Sequence, residues 1–256
     1  MDEAALACIE DATLNASTPP QQCWIDGWMV RTCPGKAKRA RSINAVAAGS
    51  LPLDDKLARA AALFAEAGLP LLVRITPFSR PPGLDEALAE RGFVRFDDSI
   101  VMAGPLPLPL ARAPSAPLPA GAQVQERPAA AFAQAVGALR GTPPAERRVH
   151  AQRLAASPVP YRGFVIVREG EVLACGQVAR EGPYAGLYDV ATAEHARGNG
   201  LATALCEHML TLEAKAGATA AYLQVSADNT VARRVYRRLG LVDAYGYHYR
   251  QAPTSG

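Results

Sequence analysis

The stretch Leu187-Tyr-Asp-Val-Ala-Thr-Ala-Glu-His-Ala-Arg-Gly-Asn-Gly-Leu-Ala-Thr-Ala-Leu205 decides how the chain is read. It opens as a strand over 187–192, passes through a short polar turn, and enters a helical pattern at Leu201. A glycine-bearing turn between a strand end and a helix start is a place to bind an anion. The first helical N–H groups have no partner inside the helix, and the helix dipole adds partial positive charge there. Gly198 and Gly200 remove side chains that would block approach to the backbone, and Arg197 adds a charged donor beside it. The stretch lacks the spaced glycines of the dinucleotide fingerprint and the Gly-Lys-Ser/Thr ending of the P-loop.

Composition bounds the rest. The chain has 256 residues, 49% apolar and 20% charged, which suits one large or two small globular domains. A net charge of +3 sets no expectation of nucleic-acid binding. The basic cluster Lys36-Ala-Lys-Arg-Ala-Arg41 reads as a solvated hairpin arm. Five scattered cysteines, without CxxC or Cys/His spacing, predict free thiols in a reducing compartment and no metal. No apolar run reaches membrane-span length, and the acidic N-terminus is unlike a secretory signal. A cytoplasmic protein without membrane attachment is expected.

Taken in order, residues 3–14 read as a helix, 24–31 as a strand, and 33–36 as a turn into a second strand at 37–46. Residues 53–67 carry Leu57, Ala60, Ala61 and Phe64 on one face of a helix, and Gly68 stops it. A buried strand (69–76), a short helix (84–90) and a strand or hairpin (93–102) follow. Six prolines between Gly104 and Gly121 predict an extended linker. It divides the chain into 1–104, a connector at 105–121, and 122–256. The second half reads as a strand (123–126), helices at 128–139 and 143–155, and a hairpin of 161–168 with 172–180. Then come a strand (186–192), the helix 201–215, a strand (220–226), a helix (229–239) and a last strand (241–250).

That order, with Arg197-Gly-Asn-Gly-Leu-Ala202 fitting Arg-x-x-Gly-x-Ala, resembles the GNAT superfamily, the acyl-CoA-dependent N-acyltransferases. A second motif, Asn229-x-x-Ala232-x-x-x-Tyr236-x-x-x-Gly240-Leu241, is similar to the superfamily's late helix. The resemblance implies an α/β fold with a central mixed, mostly antiparallel sheet flanked by helices. It also implies acetyl-CoA as co-substrate, with no metal. The pantetheine arm would lie along the main chain of Val190, Ala191 and Thr192. The pyrophosphate would sit on Arg197, Gly198, Asn199, Gly200, Leu201, Ala202 and Thr203. Asn229 would contact the cofactor near the pantetheine, or cap its helix, or both. Tyr236 would be the catalytic acid towards the departing thiolate. It shares a helix face with Asn229, two turns away. For the base that deprotonates the amine, Tyr188, Asp189, Glu194 and a water relay stay open. The histidines at 150, 195, 208 and 248 read as structural or exposed.

The first half resembles a degenerate copy of the second. Residues 84–93 align with 232–241, Gly92 matching Gly240 and Leu88 standing where Tyr236 would. Residues 47–52 hold one glycine and no phosphate motif. The resemblance therefore implies a tandem GNAT protein, one cofactor per chain, and a monomer. Its expected activity is transfer of an acetyl group to a primary amine on a small molecule or peptide. The alternative class is an acyl-CoA-binding or interaction module without turnover.

Overall fold

The computed structural model describes residues 1–34, 37–107 and 117–253. The chain runs α1 (Glu3–Ala16), β1 (Gln22–Ile25), β2 (Trp28–Arg31), β3 (Ile43–Asn44), α2 (Leu53–Glu66), β4 (Leu72–Ile75), α3 (Leu84–Glu90) and β5 (Val94–Pro105). It continues as β6 (Gln123–Arg127), α4 (Ala129–Leu139), α5 (Pro144–Ala155), β7 (Tyr161–Arg168), β8 (Glu171–Glu181) and β9 (Tyr184–Thr192). After these come α6 (Leu201–Lys215), β10 (Ala220–Ser226), α7 (Thr230–Arg238) and β11 (Val242–Gln251). The expected mixed, mostly antiparallel sheet is present: β9–β10 and β3–β4 pair in parallel, whereas β1–β2, β2–β3, β4–β11, β6–β7, β7–β8 and β8–β9 pair antiparallel.

The chain forms two compact units whose segments interleave. The first comprises Met1–Ala16, Val101–Val225 and Asn229–Ala244; the second comprises Ser17–Ile100, Ser226–Asp228 and Tyr245–Gly256. The chain therefore passes from one unit to the other inside β5 and again inside β11. Of the expected linker, residues 108–116 lie outside the described residues.

In the first unit β6, β7, β8, β9 and β10 are successive neighbours. Helix α4 lies on this sheet through Phe132 and Val136, which pack with Val165, Val167 and Cys175. Burying a side chain such as Phe132 stabilises the fold by about 1.5–3 kcal/mol. The contact is tight: a Cβ on Gly163 would come within 2.6 Å of the Phe132 ring. Helix α6 buries Leu201, Leu205, Met209 and Leu210. It approaches β8 at Gly176, where a Cβ would meet Met209 at 2.9 Å.

The second unit holds β1–β2–β3–β4 and the end of β11, with a core of Trp28, Val30, Ile43, Phe64, Val73 and Leu88. Two expectations are corrected here. The single strand expected at 24–31 is a hairpin, β1–β2, because Asp26 and Gly27 both take positive φ (42° and 83°) in a tight turn. The strand expected at 37–46 shrinks to Ile43–Asn44, preceded by a 3₁₀ turn at Lys38–Ala40. The basic cluster is not a solvated arm. Lys38 pairs with Asp97 at 2.8 Å, and Arg39 donates to Ser17 Oγ and the Tyr247 hydroxyl; Gly35 and Lys36 lie outside the described residues.

The two units repeat one local pattern: strand, helix, parallel strand, helix, strand. It is β9–α6–β10–α7–β11 in one part of the chain and β3–α2–β4–α3–β5 in the other. The turns before α6 and α2 differ sharply. Ahead of α2, the Asp26 carboxylate accepts from the backbone N–H of Ser50 (2.8 Å) and of Leu51 (2.8 Å) and pairs with Lys56 (3.0 Å). These backbone hydrogen bonds hold its pKa well below the usual carboxylate range. The first turn of α2 adds Asp54 and Asp55. An internal anion thus already occupies the helix entrance.

Candidate active site

Strand β9 carries the site because it does two things in nine residues. It pairs with β10 from Tyr184 opposite Ala220 to Leu187 opposite Leu223, and among the described residues the ladder stops there. Beyond Leu187 it still pairs with β8, but with a bulge. Tyr188 faces Gln177 and Ala191 faces Cys175, so Asp189 and Val190 together oppose Gly176. Asp189 takes φ +51°, in the left-handed region that Asp tolerates better than most residues. The bulge turns the strand just where its β10 neighbour is lost. The main chain from Val190 to Thr192 is left bordering open space.

That space is a cavity of about 980 Å³ within the first unit. Val190, Ala191 and Thr192 form one side. Arg197, Gly198, Gly200, Leu201, Ala202 and Thr203 form the second. Asn229, Ala232, Val235 and Tyr236 of α7 form the third, and Leu139 and Arg140 come from the end of α4. Eleven of the twelve residues that the resemblance assigns to the cofactor and the catalytic acid thus line one cavity. Asn199 does not line it. Its amide turns back to donate to the carbonyls of Ala196 (3.2 Å) and Arg197 (3.4 Å), which fixes the turn.

The entrance of α6 is left open. Gly198 and Gly200 adopt φ +83° and +74°, and a Cβ on Gly198 would meet nothing within 4 Å. Gly200 is the N-cap and offers no side-chain cap; the first turn holds no acidic residue. The orphan N–H groups of 201–203 therefore face the cavity side without an internal acceptor. The start of α7 is different: Asn229 Oδ1 accepts from Ala232 N–H at 3.0 Å. Asn229 is a helix cap and lines the cavity as well.

The electrostatics run in one direction. Four arginines (Arg140, Arg197, Arg234 and Arg238) and no carboxylate line the cavity among the described residues. Across the whole chain Lys and Arg number 27 against 24 Asp and Glu, so the excess is local to the site.

Sequence reasoning missed the support under the bulge. The Asp189 carboxylate accepts from Arg140 (2.7 Å) and Gln177 Nε2 (2.7 Å), and His150 Nε2 lies 3.2 Å away. Burial alone would raise its pKa. His150 and Arg140 outweigh that and hold the group well below the usual carboxylate range. A carboxylate so committed is a poor proton acceptor. Tyr188 shares a 2.9 Å hydrogen bond with Tyr222, and Glu194 opens the 3₁₀ turn; neither lines the cavity.

Tyr236 is 9% exposed, and burial pushes its pKa above that of a free phenol. It stays protonated at neutral pH and can donate. Burial also pushes the Cys175 and Cys206 thiols up to about 12, so neither is a ready nucleophile. No group of three His, Cys, Asp or Glu that could hold a metal occurs among the described residues. No described helix is long and apolar enough to cross a membrane.

Comparison with known proteins gives the family and the fold. Residues 4–250 match the family described as "Probable histone acetyltransferase Rv0428c C-terminal". An uncharacterized N-acetyltransferase of Bacillus subtilis (strain 168), YobR, is 26% identical over 230 residues, covering 88% of this chain and 90% of that one. A GCN5-related N-acetyltransferase from Kribbella flavida superposes with a TM-score of 0.69 at 19% identity, covering all of this chain and 97% of its own. A tandem GNAT protein of the clavulanic acid biosynthesis pathway superposes with a TM-score of 0.59 at 17% identity, over 79% of this chain and 70% of its own. The family match extends over nearly the whole chain, bulged strand, open helix entrance and late helix included, and on that match the chain belongs to the Rv0428c C-terminal family, GNAT-type N-acetyltransferases.

Proposed function

We propose that the cavity takes acetyl-CoA and that the enzyme passes its acetyl group to a primary amine by direct attack. The observation that carries this is the open, uncapped entrance of α6 set beside the unpaired edge of β9. The half-buried main chain of Val190–Thr192 lacks a strand neighbour on that side, and an extended amide-bearing ligand satisfies it as an added strand would. The residues present fit the cofactor. The N–H groups from Gly198 to Thr203, with Arg197, would hold the pyrophosphate; Asn199 would contribute its main chain while its side chain fixes the turn. Val190, Ala191 and Thr192 would hold the pantetheine through their main chain, and Asn229 would flank it. The cavity volume is near the upper end of ordinary small-molecule sites, about 300–1,000 Å³. Bound there, acetyl-CoA supplies an activated thioester.

What the chain's own groups do follows from their state. The Tyr236 hydroxyl is protonated and can give its proton to the sulfur as the C–S bond breaks; the proton released by the amine as the C–N bond forms passes through water and restores the phenol. Arg140 is held by Asp189 at the wall of the same cavity. The buried thiols stay protonated, which supports direct transfer over a covalent enzyme intermediate. Asp26 fills the matching helix entrance of the second unit, which supports one acyl-CoA per chain and a degenerate first half. We place the degenerate copy in the second unit, chiefly residues 17–100, and the acetyltransferase domain in the first, chiefly residues 101–244, in place of a simple division into 1–104 and 122–256, functioning as a monomer in the cytoplasm.

The acceptor is an amine, and the test is a screen. Thiol release from acetyl-CoA is followed with small amines, amino acids, aminoglycosides and lysine-bearing basic peptides, the last because the matched family is described as a probable histone acetyltransferase. Release that depends on one acceptor class and on Tyr236 is expected. Tight CoA binding with no release against any amine would reassign the chain as a binding module.

A further inference from the structure

Helix α7 carries four arginines in nine residues, Arg233, Arg234, Arg237 and Arg238, and no acidic residue. Like charges four apart on a helix repel, so each pair calls for a counter-charge. One pair has it: Arg233 and Arg237 both reach Asp243 Oδ2, at 2.5 and 2.8 Å. The other pair, Arg234 and Arg238, is exposed, lines the cavity, and has no carboxylate partner among the described residues.

Helical spacing orders these groups. Successive residues are turned by about 100°. The arc of α7 facing the cavity therefore runs from Tyr236 through Ala232, Val235 and Val231 to Arg238 and Arg234. Arg233 and Arg237 fall outside it, with Asp243. Buried Tyr236 ends the arc at its inner edge, and the two arginines end it at the solvent rim.

Arg140 is committed to Asp189, and Arg197 stands at the α6 entrance that would take a pyrophosphate. Two cations at the rim are left over. A cofactor whose reactive sulfur lies near Tyr236 presents its nucleotide end to the rim. That end carries a phosphomonoester, with a charge of about −1.5 to −2 at pH 7.

We propose that Arg234 and Arg238 form a subsite for the 3′-phosphate of CoA, which makes the enzyme selective for CoA over its 3′-dephospho form. This rests on the acyl-CoA reading of the cavity and adds which phosphate the rim recognises. The test is calorimetric titration of the full chain with CoA and with 3′-dephospho-CoA, repeated on the Arg234→Ala/Arg238→Ala variant. Wild type is expected to bind the dephospho form about tenfold more weakly, as two exposed charge pairs allow. The double variant is expected to lose a similar factor on CoA and to bind both ligands alike. Equal wild-type affinities for the two ligands would overturn the subsite. So would a variant that weakens both ligands equally, since the arginines would then hold some other part of the molecule. The wild-type comparison needs no variant to fold. Failure of wild type to bind either ligand would instead remove the acyl-CoA reading, and the subsite with it.

Discussion

Replacing Asp189 with Asn removes one charge and almost no volume. Asn also tolerates the φ of +51° found at this bulge, so the backbone is not strained by the change. The donor from Gln177 at 2.7 Å keeps an acceptor. What is lost is the charge facing Arg140 and His150, whose side chains are 45% and 19% exposed. Half-exposed pairs are screened, so the pair with Arg140 is worth at most about 1 kcal/mol; the more sheltered contact with His150 brings the total to about 1–2 kcal/mol. For a chain of this size each kcal/mol lowers Tm by about 2–4 °C, so calorimetry at pH 7.5 should show a fall of about 2–8 °C. The pH dependence has a definite sign. The folded pKa of Asp189 lies below its unfolded value of about 3.9, so its stabilisation is fully present above that value and fades as pH falls through the folded pKa. The difference between wild type and variant should therefore narrow below pH 4, as the carboxylate is protonated in both the folded and the unfolded chain. A gap that fails to narrow below pH 4, or no gap at pH 7.5, would refute the clasp. Because the clasp shapes the strand edge at Val190–Thr192, CoA affinity should fall as well, which a purely remote stability change would not cause.

Three further outcomes are expected. Tyr236→Phe should lower kcat by about 100- to 10,000-fold while leaving CoA affinity nearly unchanged, as read by thiol release and calorimetry; near wild-type kcat would leave Tyr236 a packing residue. Gly200→Val puts a β-branched side chain at φ +74° beside the orphan N–H groups, so CoA binding should be lost in a folded variant. Gly163→Ala forces a methyl to within 2.6 Å of Phe132 and should cost about 1–3 kcal/mol, seen as a lower Tm with unchanged CoA affinity; a drop in affinity there would mean that α4 packing controls the cavity.

Most of the cavity was legible in the sequence because its parts are local. A strand, a Gly-Asn-Gly turn and a helix start lie within one run, and the Asn229–Tyr236 spacing fixes a helix face without any tertiary knowledge. The clasp on Asp189 was not legible. Arg140 and His150 come from the end of α4 and from α5, 49 and 39 positions earlier in the chain, and nothing in their neighbourhoods marks them as partners. Arg234 and Arg238 could have been singled out by their four-residue spacing, but only Asp243 separates them from Arg233 and Arg237, and that pairing is tertiary. The second unit was read less well for the same reason. Asp26-Gly27 is a turn signal set between apolar residues that by themselves read as one strand over 24–31. The 3₁₀ turn at Lys38–Ala40 is held by Asp97 and Tyr247, far along the chain.

One acyl-CoA per chain should bind where the β9 edge meets the α6 entrance. Calorimetric titration of the full chain with CoA tests it most directly, run beside the Arg197→Ala/Gly200→Val variant. A stoichiometry near one per chain is expected for wild type, with no measurable binding by the folded variant. A stoichiometry near two, or undiminished binding by the variant, would contradict it.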